Sequence, residues 1–333
     1  PDFYIALMPT LKFREAIRDA LREEMTRDPD VFLMGEEVAE YNGAYKASEG
    51  LLDEFGPKRV IDTPISELGF AGIGVGAAMA GLRPVIEFMT WNFAILAMDQ
   101  VINSAAKMLS MSGGQIHVPI VFRGPNASAG QLAQQHSQAF EAFYANVPGL
   151  YVATPSTPAD AKGLLKAAIR NDNPVCIMES EQMYGLKGEV PEGEHLIELG
   201  KAEVKRPGED VTIVSFGKMI HVCQDACQAL AEDGISAELI DLRTIRPLDY
   251  DTIMASVKKT NRLVVVEESW PLASISGEIA YMIQKRAFDF LDAPVTRVMT
   301  RDTPLAYSGP FVEEFLPNVK RIRDAVQQVL YVA

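Results

Sequence analysis

The sequence predicts an α/β protein of two doubly wound domains, on three observations. From Val31 onward, short runs rich in β-branched and aliphatic residues alternate with helix-length amphipathic segments, the order that builds βαβ units around a mainly parallel sheet. The alternation stops once, over a stretch bearing glycine and proline, and then restarts. At 333 residues the chain also exceeds what one hydrophobic core usually serves.

Strands are expected at Val31–Met34, Arg59–Asp62, Pro84–Met89, Val118–Arg123, Leu150–Ala153 and Val175–Glu179. Amphipathic segments between them predict helices over Phe13–Thr26, Glu67–Gly81, Ala94–Met111, Ser137–Asn146 and Pro158–Asn171. Tyr184–Gly200 carries Gly185, Gly188, Pro191, Gly193 and Gly200 among charges with no sustained period, so it reads as a connection. Further strands follow near Val211–Phe216, Ala237–Leu242, Leu263–Glu267 and Val295–Met299, with helices near Ile220–Asp233, Asp249–Thr260, Ser274–Phe288 and Val319–Leu330. The expected organisation is a first domain over 8–184, a linker over 185–200 and a second domain over 201–333.

Hydrophobic residues make up 48% and charged residues 23%, the balance of a globular chain rather than a disordered one. A formal charge of -14 argues against general affinity for nucleic acid or anionic lipid, both of which attract basic surfaces. Leu68–Leu82, the longest uncharged apolar stretch, falls short of the roughly 20 residues a spanning helix needs, so no membrane crossing is expected. Cys176, Cys223 and Cys227 are too few and too odd in number for a disulfide framework and point to a reducing compartment. Neither they nor His117, His136, His195 and His221 show zinc-like spacing, so buried structural thiols are expected. Pro1–Leu7 carry neither a basic leader nor an Arg-rich amphipathic pattern and stay outside the fold argument.

There is no GxxxxGK[ST] loop, no HExxH and no GxSxG, which removes three common chemistries. Gly72-Ile73-Gly74-Val75-Gly76 fails as a dinucleotide fingerprint, because it lies inside a predicted helix and Ala77 breaks the spacing. Each helix-interior glycine costs roughly 1 kcal/mol relative to alanine, so Gly69, Gly72, Gly74, Gly76 and Gly81 call for close packing, either on their own sheet or on another subunit. Asp62-Thr63-Pro64-Ile65-Ser66-Glu67 joins a strand end to a helix start, where open α/β sheets place ligands. Glu67 is thus a candidate acid, although a carboxylate in a first helical turn also complements the helix dipole without further function. His136 follows the loop Arg123-Gly124-Pro125-Asn126-Ala127-Ser128-Ala129-Gly130, which suits a lid; it is a candidate proton donor or acceptor, or only a hydrogen-bonded cap.

Six stretches carry a resemblance: Gly35-Glu36-Glu37-Val38, Asp62 to Glu67, Gly69-Phe70-Ala71-Gly72, Phe88-Met89-Thr90-Trp91-Asn92-Phe93, Asp99 to Lys107, and Gln135-His136-Ser137-Gln138. With them the chain resembles, over Leu11–Val329, the beta subunits of heteromeric thiamin-diphosphate-dependent 2-oxo acid dehydrogenases, and within these the pyruvate branch. The resemblance implies a pyrimidine-binding thiamin-diphosphate fold followed by a transketolase C-terminal-like domain. It implies that Glu67 hydrogen-bonds the cofactor aminopyrimidine and drives its proton exchange, that Met89 and Phe93 pack around that ring, and that His136 assists transfer of the two-carbon unit to lipoamide. Glu36 and Glu37 are similar to residues placed on a proton path between active sites; a solvated strand-end pair with no such role is the alternative.

The family binds diphosphate and magnesium through a GDG segment, and this sequence contains none. By resemblance, an alpha subunit holds the magnesium and the diphosphate, completing the site in an alpha2-beta2 tetramer that acts on pyruvate. Its product passes to the lipoyl domains of a dihydrolipoyl acetyltransferase core, which the C-terminal domain helps to dock. Ile120, Ala168, Ile169, Asn171 and Asn173 match positions of a potassium site in related beta chains, mostly through backbone oxygens, with Asn171 in place of an aspartate. The expected compartment is the cytoplasm for a bacterial source and the mitochondrial matrix for a eukaryotic one. A branched-chain 2-oxo acid dehydrogenase beta subunit and a non-catalytic scaffold are the competing readings.

Overall fold

Apolar runs make strands buried on both faces; Val31–Gly35 is one, and Val121–Pro125 and Val175–Glu179 are buried at every position although they carry Arg123 and Glu179. In the computed structural model, which describes residues 8–332, they are interior strands of a seven-stranded sheet. Pro1–Leu7 and Ala333, the last residue of the expected second domain, lie outside the described residues. The spatial order is Thr244–Arg246, Tyr151–Ala153, Val175–Glu179, Val121–Pro125, Arg83–Glu87, Val31–Gly35, Val60–Asp62. All neighbours are parallel except the first pair.

Helices Phe13–Arg27 and Pro158–Ile169 cover one face, burying Phe13, Ile17, Leu21 and Met25 in a cluster with Leu164, Leu165 and Ile169. Helix Glu67–Met79 covers the other face. Gly74 is needed there: a Cβ on it would lie 2.6 Å from Ile86 Cδ1 on the sheet below. Gly76 has nothing within 4 Å of a Cβ, and Leu68 and Ile73 beside it are exposed, so own-sheet packing accounts for Gly74 but not for Gly76.

The second sheet runs Thr296–Val298, Leu263–Val266, Val211–Ser215, Ala237–Asp241, Glu203–Arg206, parallel except at the last pair. Helices Met219–Glu232 and Val319–Leu330 close its outer core. On its inner face Ile240, Leu242, Ile253 and Ile279 belong to the same apolar cluster as Phe88, Trp91 and Phe122 of the first sheet. The two domains therefore share a core.

Four local expectations differ from the structure. Ala94–Met111 is not one helix: α-helical Trp91–Ala94 gives way to a 3-10 turn at Ile95–Ala97, a π-helical stretch at Gln100–Ala105 and α-helical Ala106–Met111. Only Glu141–Ala145 of Ser137–Asn146 is helical, because the preceding amides are engaged elsewhere: Gln138 N donates to Asn92 Oδ1 and Phe140 N to Asn126 Oδ1. Within the connection 185–200, Lys187–Glu189 pairs antiparallel with Thr10–Lys12. Thr244–Arg246, placed in the second domain by the sequence, adds an edge to the first sheet, a pairing that a run of only three residues does not announce. All three cysteines are free and buried. Among the described residues no helix is long and apolar enough to cross a membrane.

Candidate active site

Parallel strands deliver their following loops to one edge of the sheet, and the candidate residues gather there. Glu36 follows Val31–Gly35, Met89 follows Arg83–Glu87, Asn126 follows Val121–Pro125 and Glu181 follows Val175–Glu179. A cavity of about 60 Å³ at this edge is lined by Met89, Phe93 and His136 together with Tyr45, Leu132 and Glu181. The Phe93 and His136 rings meet edge to face, with centroids 5.1 Å apart. Tyr45 Oη donates to Glu181 Oε2 over 3.2 Å. Burial pushes the Glu181 carboxyl up, against the downward pull of the Tyr45 hydrogen bond and of His136.

Glu67 opens helix Glu67–Met79 and is only 5% exposed, yet among the described residues nothing hydrogen-bonds or ion-pairs with its carboxylate. It does not line the cavity but lies near Glu36, whose Oε2 accepts a hydrogen bond from Met89 N at 3.3 Å. Burial first, then the charge of Glu67, holds the Glu36 carboxyl above its ordinary range. Glu37 diverges from its neighbour, exposed and with a left-handed φ of 59°. A largely buried acid with no partner in its own chain is free to accept or share a proton with a group from outside, so the setting of Glu67 fits a hydrogen-bonding ring of a cofactor.

Beneath the site, Arg123 joins two buried carboxylates. Its Nε donates to Glu179 Oε1 at 2.7 Å, its other nitrogens reach Glu87 and Glu179 again, and Tyr184 Oη donates to Glu179 Oε2 at 2.7 Å. Burial drives the Glu87 carboxyl up while the guanidinium pulls it down. A smaller cavity at the domain interface is lined by Glu141, Thr154, Ser180, Lys218 and Glu268, and the hydroxyls of Thr154 and Ser180 have no partner. Burial pushes the Glu141 carboxyl up to about 8.

Of the residues matched to a potassium site, Ile169 and Asn171 offer their carbonyls to Arg83 Nη1, at 3.0 and 3.2 Å. Ala168 O accepts from Asn171 N, Ile120 O from Val175 N, and Asn171 Oδ1 from the backbone and side chain of Asn173. Among the described residues no cluster of His, Cys, Asp and Glu could hold a metal ion.

Tyr45, Arg123, Glu179, Glu181, Lys218 and Glu268 were not singled out from the sequence. The available signal was a charge inside an apolar strand for Arg123 and Glu179 and a charge just past one for Glu181, Lys218 and Glu268, places where a charge is paired or functional more often than solvated; Tyr45 carried none.

Comparison with known proteins agrees with this architecture. A family model described as "Transketolase, pyrimidine binding domain" matches residues 9–187, and one described as "Transketolase, C-terminal domain" matches 200–322. A solved "Split gene transketolase, inactive beta4 tetramer" superposes with a TM-score of 0.80, covering 97% of this chain and 99% of that one; at 22% identity it speaks for the fold alone. Fold and site thus define a chain of the transketolase class. Among curated relatives, the pyruvate dehydrogenase E1 component subunit beta of Rickettsia bellii (strain RML369-C) is 55% identical, covering 96% of this chain and 98% of its own. That of Rhizobium meliloti (strain 1021) is also 55% identical, covering 97% and 71%, and the mitochondrial subunit of Dictyostelium discoideum is 52% identical, covering 95% and 90%. The chain belongs to the family of pyruvate dehydrogenase E1 component beta subunits.

Proposed function

We propose that this chain acts with an alpha subunit in the thiamin-diphosphate-dependent oxidative decarboxylation of pyruvate and the reductive acetylation of lipoyl groups on a dihydrolipoyl acetyltransferase core. The observation that carries the reading is the buried carboxylate of Glu67, which has no partner within the described chain. When bound, the cofactor supplies the nucleophilic carbon and the electron sink. Glu67 would hold and exchange a proton with the cofactor's pyrimidine, and the apolar flanks of Met89 and Phe93 would exclude water from that ring. His136, fixed edge to face on Phe93, would handle the proton of the acyl acceptor.

Glu36 is placed beside Glu67 and belongs to the proposal as a proton-relay partner; Glu37 enters only through its sequence position. Magnesium and the diphosphate would fall to the alpha subunit, a division that the lack of a GDG in this sequence supports, and the proposed assembly is alpha2-beta2. Potassium at Ile120, Ala168, Ile169, Asn171 and Asn173 rests on donor chemistry, neutral oxygens suiting a hard cation. The compartment is the bacterial cytoplasm or the mitochondrial matrix, according to source.

The test is reconstitution with an alpha subunit, thiamin diphosphate and magnesium. Wild-type chain should release carbon dioxide from pyruvate and Glu67→Gln should lose at least about a hundredfold, the scale of a lost general acid–base. Equal rates would remove Glu67 from the chemistry, and a clear preference for 2-oxoisovalerate would favour the branched-chain reading.

A further inference from the structure

Past Asn126, the loop that carries His136 is held at its near end by the other domain. Ser128 is fully buried, and all its polar atoms are engaged by two side chains of the C-terminal domain. Its amide donates to Glu268 Oε1 at 2.9 Å, while Lys218 Nζ donates to its carbonyl at 2.9 Å and its hydroxyl at 2.5 Å. The clamp is itself an ion pair, Lys218 Nζ to Glu268 Oε2 at 2.8 Å, with both side chains more than nine-tenths buried. Lys218 Nζ also donates to Gln182 Oε1 at 3.0 Å, beside the cavity-lining Glu181. Three residues on from Ser128, Gln131 Nε2 donates to Tyr307 O at 3.2 Å.

The far end of the loop is tied to its own domain by Gln138 N donating to Asn92 Oδ1 at 3.0 Å. Between these ends lie Leu132, Ala133 and His136; Ala133, and Ala127 just before Ser128, each hold a left-handed φ of 63° that a β-carbon disfavours. Such a backbone persists only where its surroundings over-determine it; at the near end these are Gln138 O, which accepts from Ala127 N at 3.0 Å, and, one residue on, the two C-terminal side chains that hold Ser128.

We propose that Lys218 and Glu268 are positioning residues: through Ser128 they set the loop that presents His136 to the acyl acceptor, so the C-terminal domain contributes to acyl transfer without touching the reacting atoms. The proposal rests on the acyl-transfer role given to His136 above. A pair serving domain docking alone would affect every step of turnover alike. A clamp on this loop should instead slow the step that needs His136 more than the steps that do not.

The test uses the enzyme reconstituted with its alpha subunit, thiamin diphosphate and magnesium, in two reactions. One is acetylation of a lipoyl domain; the other is pyruvate oxidation by hexacyanoferrate(III), which takes the electrons without an acyl acceptor. Lys218→Met and Glu268→Gln should lower acetylation about tenfold or more and hexacyanoferrate reduction by less than about threefold, the asymmetry expected when a catalytic group is misplaced. Lys218→Arg should recover most of the loss. Arg243→Met, which cuts a separate ion pair with Asp160 and Glu203 near the same interface, should leave the ratio of the two rates unchanged. Amide exchange over residues 128–136 should quicken in Lys218→Met. Equal losses in both reactions, no loss in either, unchanged exchange, or the same split in Arg243→Met would overturn the clamp. A wild type that oxidises no pyruvate in either assay would sink the functional reading instead, with amide exchange still deciding whether the clamp exists.

Discussion

Replacing Glu141 by glutamine should flatten the dependence of stability on pH. Its carboxyl lies fully buried beside the interdomain cavity, and burial, reinforced by the charges of Glu267 and Glu268, carries it from an ordinary 4.5 to about 8. The folded chain therefore keeps the proton over a range in which the unfolded chain has lost it. Stability falls as pH rises from about 4.5 to about 8 and levels off above that. At ~1.4 kcal/mol per pH unit the full excursion is on the order of 5 kcal/mol, an upper figure because buried sites relax. Glutamine preserves shape and never ionises. The gap between variant and wild type should open in favour of glutamine between pH 5 and 8.5 by a few kcal/mol. Urea midpoints of the two proteins at matched pH measure it, and titration of Asp241, pushed up to about 7, cancels in the difference. Parallel stability curves for the two proteins would mean that Glu141 is ionised throughout and that water or a counter-charge reaches it.

Arg123→Met strands Glu87 and Glu179 in the core and should cost ~3–5 kcal/mol by denaturant midpoint, with Glu87→Gln and Glu179→Gln added together restoring much of it. A single variant as stable as wild type would show that water replaces the guanidinium. Exchanging potassium for choline should lower stability by about 1.4 kcal/mol at a concentration ten times the dissociation constant, if Ile120, Ala168, Ile169, Asn171 and Asn173 hold the ion. An unchanged melting temperature would leave Arg83 as the cation serving that loop.

What the sequence by itself determined is whatever is written locally. Short β-rich runs marked strands at Val31–Met34 and Val175–Glu179, and the turn from strand to helix at Asp62–Glu67 put an acid at a sheet edge. Tertiary structure decided which distant residues meet. Tyr45 and Glu181 are 136 positions apart, and Ser128 and Glu268 are 140 apart. Strand order and the docking of two sheets, not periodicity, bring them together. Charge read along a chain looks solvated by default, so Arg123, Glu179, Lys218 and Glu268 drew no notice until the fold removed their water and left each a partner to find. The edge strand Thr244–Arg246 escaped for a related reason: Thr244 and Ile245 favour a strand, but a run of three residues is too short to declare one, and its order comes from the sheet it joins.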